Sequence, residues 1–188
     1  AATVTTLSSV LIAAVGTWIG GWADVLVQRV TEVNMILPFL PVSVLVYVLY
    51  SKSFWTILGV TILLSIFGAS IKNYRSLFLQ VRESPYIEAA QAYGAGNGRI
   101  IFRYLIPRIV SVLVPQVIIL VPSYVFLEAS LAFLGVSDPI LPTWGKLIAQ
   151  GLSRNIYTEK YPLILEPLGL LLLLSFAFVM LGISLERH

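Results

Sequence analysis

Long uncharged stretches alternate with short charged segments along this chain, and the alternation predicts its architecture. Five stretches of at least 19 residues contain no Asp, Glu, Lys or Arg: 1–23, 33–51, 53–71, 109–127 and 167–185. Because about 20 apolar residues cross the hydrocarbon layer as an α-helix, each stretch is long enough to form one span. Barrel strands are about 10 residues long and alternate in polarity, unlike these stretches. The pattern predicts an all-α membrane protein, a single transmembrane domain over residues 1–188 with a bundle of about five helices.

The composition agrees with a membrane location. Hydrophobic residues make up 58% of the chain and charged residues 11%, compared with about 25% charged residues in soluble domains. The chain has no Cys, which excludes disulfides and thiolate metal sites. No Met opens the chain and no basic segment precedes the first apolar stretch. We therefore expect no secretory signal peptide, and a chain that begins part-way through a longer protein.

Basic residues are concentrated in one connecting segment, and their distribution predicts the topology. Segment 72–108 contains six Lys and Arg residues, whereas no other connection has more than three. The six are Lys72, Arg75, Arg82, Arg99, Arg103 and Arg108. Since basic loops stay in the cytoplasm, this segment and, by alternation, the C-terminus are predicted to be cytoplasmic, with the N-terminus outside. Aromatic residues near the ends of the stretches are predicted to be interfacial anchors. They are Trp18, Trp22, Tyr50, Trp55, Trp144, Tyr157 and Tyr161.

The middle of the basic segment has the pattern of a short capped helix. Ser84 suits a helix N-cap, and Pro85 suits the first helical position. Glu88 then lies in the first turn, where the helix dipole favours an anion. Gly94 is predicted to end the helix in the C′ position. A polar helix of this kind between two spans is accessible to a cytoplasmic partner.

A second short helix is predicted from about residue 99 to residue 106, with Arg99 and Arg103 four residues apart and Pro107 at the entry to the next span. On the first helix, i, i+3 and i+4 spacing places four residues on one face. They are Tyr86, Ala89, Ala90 and Tyr93. Small Ala side chains allow close approach of a partner and Tyr rings supply contact area. The spacing alone leaves two interpretations: a docking element, or a solvated hairpin whose basic residues enforce topology.

Glu88-Ala89-Ala90, Gly94 and the pair Ile106-Pro107 about a dozen residues later resemble the EAA loop of ABC-importer permeases. Further segments resemble the dipeptide, oligopeptide and nickel branch of that family and extend the resemblance over nearly the whole chain. They are residues 20–24 with Arg29, then 75–79, 86–90, 99–107, 128–135 and 142–145. Two departures from the branch pattern, Gly135-Val-Ser and the ending Gly182-Ile-Ser-Leu-Glu-Arg187, weaken a substrate assignment rather than the family assignment.

The resemblance implies the transmembrane subunit of an ATP-driven importer, of the second permease type found in peptide-class systems, in the inner membrane. It implies a heterodimer with a related permease, two cytoplasmic ATP-binding subunits, an extracytoplasmic solute-binding protein, and alternating access. It also implies that the hairpin docks on an ATPase subunit. The implied coupling residues are Glu88, Ala89, Ala90, Gly94, Arg99, Arg103 and Pro107. Peptides are the expected substrate, while nickel chelates and oligosaccharides stay open because the binding protein largely selects.

Other residues are candidates for the translocation path. Pro115 and Pro122 follow Pro107 along the fourth stretch. Proline in a spanning helix frees carbonyls that neighbouring helices or water must satisfy. The recurrence predicts either a bent, pore-lining helix that changes shape between states or a static kink in a crowded bundle.

Two glutamates adjoin uncharged stretches on the predicted outer side. Both are expected at the outer interface. Glu128 matches a family position and either helps to shape the pore mouth or receive the binding protein, or is a hydrogen-bonded interfacial carboxylate. The choice between a functional and an interfacial role is open for Glu166 as well. The outer loop 136–162 contains Trp144 and is long for a connection within a bundle. We expect it to fold back on the outer mouth and, with Glu128, to meet the binding protein. The alternative is a segment that rests on lipid headgroups.

The sequence shows no catalytic, cofactor or metal site. It has no Gly-rich phosphate loop ending in Lys-Ser/Thr, no metal-ligand cluster and no nucleophile–base pair. ATP hydrolysis is therefore expected in partner subunits, and nothing indicates nucleic-acid binding. The competing hypothesis is an ion-coupled secondary transporter or a channel without an ATPase. Such proteins usually place ionisable or selective groups at the membrane midplane, where this chain has no charge. A structural scaffold would not need repeated prolines in a span.

Overall fold

The computed structural model describes residues 1–50, 53–153 and 161–186, and no β-strand occurs among these residues. The helices are α1 Ala2–Ile19, α2 Gly21–Ile36, α3 Phe39–Leu49, α4 Phe54–Ile66, α5 Ala69–Arg82, α6 Pro85–Ala92, α7 Asn97–Ile100, α8 Ile106–Phe133, α9 Trp144–Ser153 and α10 Tyr161–Glu186. A π-helical turn, Ile101–Leu105, joins α7 to α8. The predicted all-α class is confirmed.

Within the described residues, three helices are long and apolar enough to cross a membrane, and two broken helix pairs qualify if each pair is counted as one span. The three are α1, the part of α8 from Val112 to Phe133, and the part of α10 from Ile164 to Leu185. The pairs are α2 with α3 and α4 with α5. With three to five candidate spans, the protein is a multi-pass membrane protein.

The uncharged stretch 33–51 does not form one straight helix. α2 runs to Ile36 and α3 begins at Phe39. Between them Leu37 is extended, with φ −67° and ψ 124°, because the ring of Pro38 disfavours the α conformation at the preceding residue. α3 has 11 residues and is about 16 Å long, which is shorter than the hydrocarbon layer of about 30 Å. A proline break therefore divides the second predicted span.

The stretch 53–71 is also divided. α4 ends at Ile66 and α5 begins at Ala69, and the two helices are bent by 40°. Gly68 is the extended N-cap residue of α5, and its N–H donates to the Ser65 carbonyl at 3.2 Å. Lys52, the charged residue that precedes this stretch in the sequence, lies outside the described residues.

The chain divides into two compact units. One unit comprises residues 3–38 and 62–114 and has an extended apolar core. Among the side chains buried in it are Trp18, Phe78, Ile87, Ile100 and Leu105. Residues on either side of the 84–107 hairpin, and within it, therefore belong to one core.

Charged side chains of α5 bind α1 and α2 in this unit. Arg75 forms a bidentate pair with Asp24, with nitrogen–oxygen distances of 2.7 and 2.5 Å. Arg82 donates to the Thr17 carbonyl at 2.8 Å, and its guanidinium lies 5.8 Å from the centre of the Trp18 ring. Trp18 is 8% exposed. It is therefore a core residue, although its place at the end of a stretch had predicted an interfacial anchor.

The other unit comprises residues 1–2, 39–61 and 115–188. Its described part contains a small cluster of buried apolar residues, Tyr47, Leu131 and Val136. α8 ends in this unit at Phe133, and Gly135 just beyond it has φ 83°. The Gly135 and Val136 N–H groups donate to the Ala132 and Leu131 carbonyls at 3.0 and 2.8 Å. These two bonds form a Schellman motif, with Val136 and Leu131 in one apolar cluster.

Asp138 fixes the segment that follows α8. Its Oδ2 accepts the Phe54 N–H at 2.9 Å, at the start of α4, and its Oδ1 accepts the Ile140 N–H at 2.9 Å. Lys146 in α9 donates to the Pro139 carbonyl at 2.6 Å, and the Tyr47 hydroxyl donates to the Ser137 carbonyl at 2.6 Å. The connection is thus tied to α4, α3 and α9.

Candidate functional site

The candidate site is the short helix α6 and the turn that follows it. Ser84 occupies the predicted N-cap position with extended φ and ψ, and Pro85 is the first helical residue. The Ser84 side chain makes no capping bond, because its hydroxyl donates to the Val81 carbonyl instead. Glu88 lies in the first turn and is exposed. Proline geometry therefore starts the helix without a side-chain cap.

Gly94 ends α6 in the way the sequence predicts. It has φ 78°, a left-handed conformation that costs L side chains roughly 1–2 kcal/mol. The Gly94 N–H donates to the Gln91 carbonyl at 2.9 Å, and the Ala95 N–H donates to the Ala90 carbonyl at 3.0 Å. This is a second Schellman motif. It reverses the chain so that α7 can return towards the core of the unit.

One buried side chain anchors α6. Among its eight described residues, Ile87 alone is buried, at 1% exposure. Ile87 belongs to the same buried cluster as Phe78 from α5, Ile100 from α7 and Leu105 from the π turn. The Ile87 side chain therefore anchors the helix to the core of the unit, while the remaining surface of the helix is free to contact another molecule.

The face that combines aromatic and small residues is accessible. Tyr93 is 93% exposed and Tyr86 is 42% exposed. Ala89 is exposed and Ala90 is half-buried. Large rings stand beside two methyl groups on the outer surface of a helix, an arrangement in which a partner surface could approach the backbone closely.

The segment after the turn differs from the predicted separate helix over residues 99–106. α7 ends at Ile100, the π turn follows, and α8 begins at Ile106, so that the helical path continues into the span. The Ile106 N–H donates to the Ile101 carbonyl, five residues back. Pro107 explains the wide turn, because it has no N–H for the Arg103 carbonyl and its ring would clash with that carbonyl in a regular helix.

The remaining coupling candidates lie along this path. Arg99 is exposed on α7, and Arg103 is exposed in the π turn. Pro107 is exposed at the start of α8. Farther along, Pro115 and Pro122 lie within α8, and both side chains are buried. Proline therefore occurs in a packed environment at these two positions.

The candidate residues at the other end of α8 also come together. Glu128 is half-buried, and the Thr143 hydroxyl hydrogen-bonds its carboxyl group. Thr143 caps α9, since its Oγ1 accepts the Lys146 N–H at 3.3 Å. Trp144, the next residue, begins α9 and is half-buried. The structure thus brings Glu128 to the N-terminus of the helix that contains Trp144.

The expected loop 136–162 contains a helix that the sequence interpretation missed. In α9 a Cβ on Gly145 would lie 2.5 Å from the Ala129 Cα atom, so the two backbones are in direct contact. The apolar spacing of Trp144, Leu147, Ile148 and Leu152 could have revealed this helix. Residues 154–160, with Arg154, Tyr157 and Lys160, lie outside the described residues.

The fold and the exposed α6 define a class of protein: a polytopic membrane component that presents a short helix between its spans. A family model for the binding-protein-dependent transport system inner membrane component matches residues 7–187. The chain belongs to this family. The match covers α6 and most of the candidate spans alike.

Relatives with assigned names match most of the chain. A peptidoglycan transport system permease of Agrobacterium fabrum is 32% identical over 146 residues, which cover 77% of this chain and 38% of that protein. A dipeptide transport system permease of Alkalihalophilus pseudofirmus is 26% identical, over 89% of this chain and 54% of its own length. An oligopeptide transport system permease of Bacillus subtilis is 29% identical, over 99% and 60%. The chain thus spans between 38% and 60% of the length of these relatives.

Proposed function

We propose that this protein is the transmembrane subunit of an ATP-driven importer for peptides. The observation that supports the proposal most directly is α6, an exposed helix anchored by Ile87 in a chain of the inner membrane component family. The named relatives are permeases for a dipeptide, an oligopeptide and peptidoglycan, which favours peptides as the solute class.

The proposed assembly contains a second permease, two cytoplasmic ATP-binding subunits and an extracytoplasmic solute-binding protein. In it, α6 docks in a groove on an ATPase subunit, with Glu88, Ala89, Ala90 and Gly94 at the contact and Arg99 beside it. The concentration of Lys and Arg in segment 72–108 supports a cytoplasmic position for α6.

The local packing supports a mechanical role for α6. Ile87 shares a buried cluster with Leu105, and the π turn that contains Leu105 continues directly into α8. A displacement of α6 would therefore move the start of a candidate span rather than a loose loop. Rigid-body coupling of this kind needs a packed element with two positions. Closure of the ATPase subunits would favour one of the two positions of α6 over the other.

The contact is tested by adding bulk to the exposed face without disturbing the fold. Ala89→Trp should abolish transport and co-purification of the ATPase subunits, because an indole ring prevents close approach. Ala89→Ser, which adds one oxygen, should retain both transport and co-purification of the ATPase subunits. Both variants should insert normally, since Ala89 is exposed. Normal transport by Ala89→Trp would exclude a contact at this face.

The turn is tested by a matched pair of glycine substitutions. A Cβ on Gly94 or on Gly96 meets no atom within 4 Å, but only Gly94 of the two has a positive φ. Gly94→Val should strain the turn by roughly 1–2 kcal/mol and uncouple ATP hydrolysis from transport. Gly96→Val should transport normally. Similar transport in the two variants would contradict a role for the left-handed turn.

At the opposite end of α8, we propose that Glu128 and Trp144 form part of the surface that meets the binding protein. The hydrogen bond from Thr143 to Glu128 supports one continuous surface there. Glu128→Gln and Trp144→Ala should lower binding-protein-stimulated ATPase activity in the reconstituted complex while basal activity persists. Unchanged stimulation in both variants would place the docking surface elsewhere.

A further inference from the structure

A cleft of about 480 Å³ opens beside α6, within the unit that contains the hairpin. It is lined by Tyr86 of α6, by Arg103 and Tyr104 of the π turn, and by Pro107 and Arg108 of α8. Arg103, Pro107 and Arg108 are exposed. The cleft is therefore an open site whose walls come from α6, the π turn and α8.

The lining has the chemistry of a phosphate site. Two arginines and two tyrosines are among the lining residues, and the described residues that line the cleft include no Asp or Glu. The ion pairs found in the described part of the chain join Arg29 and Lys72 to Glu32, and Arg75 to Asp24. Arg103 and Arg108 take part in none of these. Arginine binds phosphate oxygens through two parallel N–H donors, which makes it well suited to a bound anion.

The position of the cleft along α8 indicates where that anion comes from. The candidate span begins at Val112, four residues after Arg108, so the two Cα atoms lie about 6 Å apart along the helix axis. The headgroup layer on each side of the hydrocarbon core is roughly 5–8 Å thick. Arg108 thus lies at the depth of lipid phosphates.

The π turn contributes to the geometry. In a regular α-helix, residues five apart such as 103 and 108 lie about 140° apart around the axis. The wider turn, with its bond from Ile106 back to Ile101, reduces this separation. The two arginines can therefore reach one ligand.

We propose that this cleft binds the phosphate headgroup of an anionic phospholipid. The bound lipid would contact α6 through Tyr86 and the start of α8 through Arg103 and Arg108. It would sit at the junction between the hairpin and a membrane span. The proposal does not depend on the ATPase partner, and lipid binding can be measured without that partner.

The test uses the full chain purified in detergent and titrated with phosphatidylglycerol or phosphatidylcholine, with bound lipid counted by native mass spectrometry. Phosphatidylglycerol should bind several-fold more tightly than phosphatidylcholine. Arg103→Gln and Arg108→Gln should each weaken its binding about fivefold. Arg99→Gln removes the same charge from exposed α7, outside the cleft, and should leave binding unchanged.

Three results would overturn the assignment. Equal binding of the two lipids would show that the cleft does not select an anionic headgroup. Equal losses of phosphatidylglycerol binding in the Arg99, Arg103 and Arg108 variants would mean that the lipid responds to the net positive charge of the chain and not to this cleft. Displacement of the lipid by millimolar inorganic phosphate would identify a site for the free anion instead.

Discussion

Gly145 lies where α9 meets α8, and its missing side chain allows the contact. A Cβ at this position would lie 2.5 Å from the Ala129 Cα atom and 2.8 Å from the Ala129 carbonyl oxygen. Backbone atoms cannot rotate away as a flexible side chain can. We predict that Gly145→Ala displaces α9 and lowers the free energy of unfolding by about 1–3 kcal/mol, as overpacking does. Thermal unfolding in detergent measures the loss.

Gly59 provides the matched control for this substitution. It lies inside α4, and a Cβ there meets no atom within 4 Å. Because Ala favours a helix over Gly by about 1 kcal/mol, Gly59→Ala should be neutral or stabilising. The contact argument would fail if the two variants unfolded at the same temperature.

Asp138 predicts a specific pH dependence. The N–H groups of Ile140 and Phe54 stabilise its carboxylate and hold the pKa of Asp138 below the usual value. A group whose pKa is lowered by folding stabilises the fold above its unfolded pKa, about 3.9 for Asp, and that contribution disappears as the pH falls through the folded pKa. Asp138→Asn keeps one acceptor oxygen where the native residue uses two.

We therefore expect Asp138→Asn to unfold at a lower temperature than the native protein at pH 7. The difference should shrink as the pH falls from about 3.9 through the lower pKa of the folded state, because the native carboxyl group becomes protonated over that range. Unfolding curves of both proteins between pH 7 and the acid limit provide the test. A difference that is constant over this range would mean that the charge of Asp138 does not stabilise the fold.

The π turn is an element whose existence depends on one residue. Pro107→Ala supplies the missing N–H and removes the ring, so a regular bond to the Arg103 carbonyl can form. We predict that the turn relaxes to an α-helix and rotates the preceding residues by about 100° relative to α8. The chain has no Cys, so spin labels can be attached to cysteines introduced at the exposed positions Asn97 and Val110. Pulsed electron paramagnetic resonance then measures the distance between the two labels.

Pro122→Ala is the control for that experiment, since Pro122 lies within α8 and outside the π turn. The label distance should be unchanged in this variant and shifted in Pro107→Ala. An identical distance distribution in both would mean that the buried residues Ile100 and Leu105, rather than Pro107, determine the turn.

Local signals in the sequence predicted the bounds of α6 well. Pro85 and Gly94 each act through their own backbone preferences, so the start and end of α6 followed directly from them. Pro38 and Pro41 were expected to bend the second span as Pro115 and Pro122 bend the fourth, but the lack of charge did not predict two separate helices, because it indicates an apolar environment and not a straight helix. The apolar periodicity of α9 lies inside a segment that its length and its prolines predicted to be a loop.

Other features could not be predicted from local patterns. The hydrogen bond from the Phe54 N–H to Asp138 joins residues 84 positions apart. The contact of Gly145 with Ala129 and the burial of Ile87 likewise depend on which helices pack together. A pattern of residue types specifies such packing only after the fold is known.

At the scale of the whole molecule, much apolar surface is exposed. In the candidate span of α10, 11% of the most apolar segment is buried, and side chains such as Leu173 and Phe176 are 68% and 65% exposed. Soluble monomers rarely expose contiguous apolar patches of more than a few hundred Å². This surface is compatible with lipid or with a second permease.

The orientation of the molecule gives the last prediction. Asn97 and Ile140, which is 88% exposed, are joined by α8, a single candidate span. A cysteine at either position can be labelled without background, because the native chain has none. In intact cells an impermeant thiol reagent should label Ile140→Cys but not Asn97→Cys until the membrane is permeabilised. Labelling of Asn97→Cys alone would invert the topology and move α6 away from any cytoplasmic ATPase. Labelling of both in intact cells would mean that α8 does not cross the membrane, since its two ends would then lie on the same side.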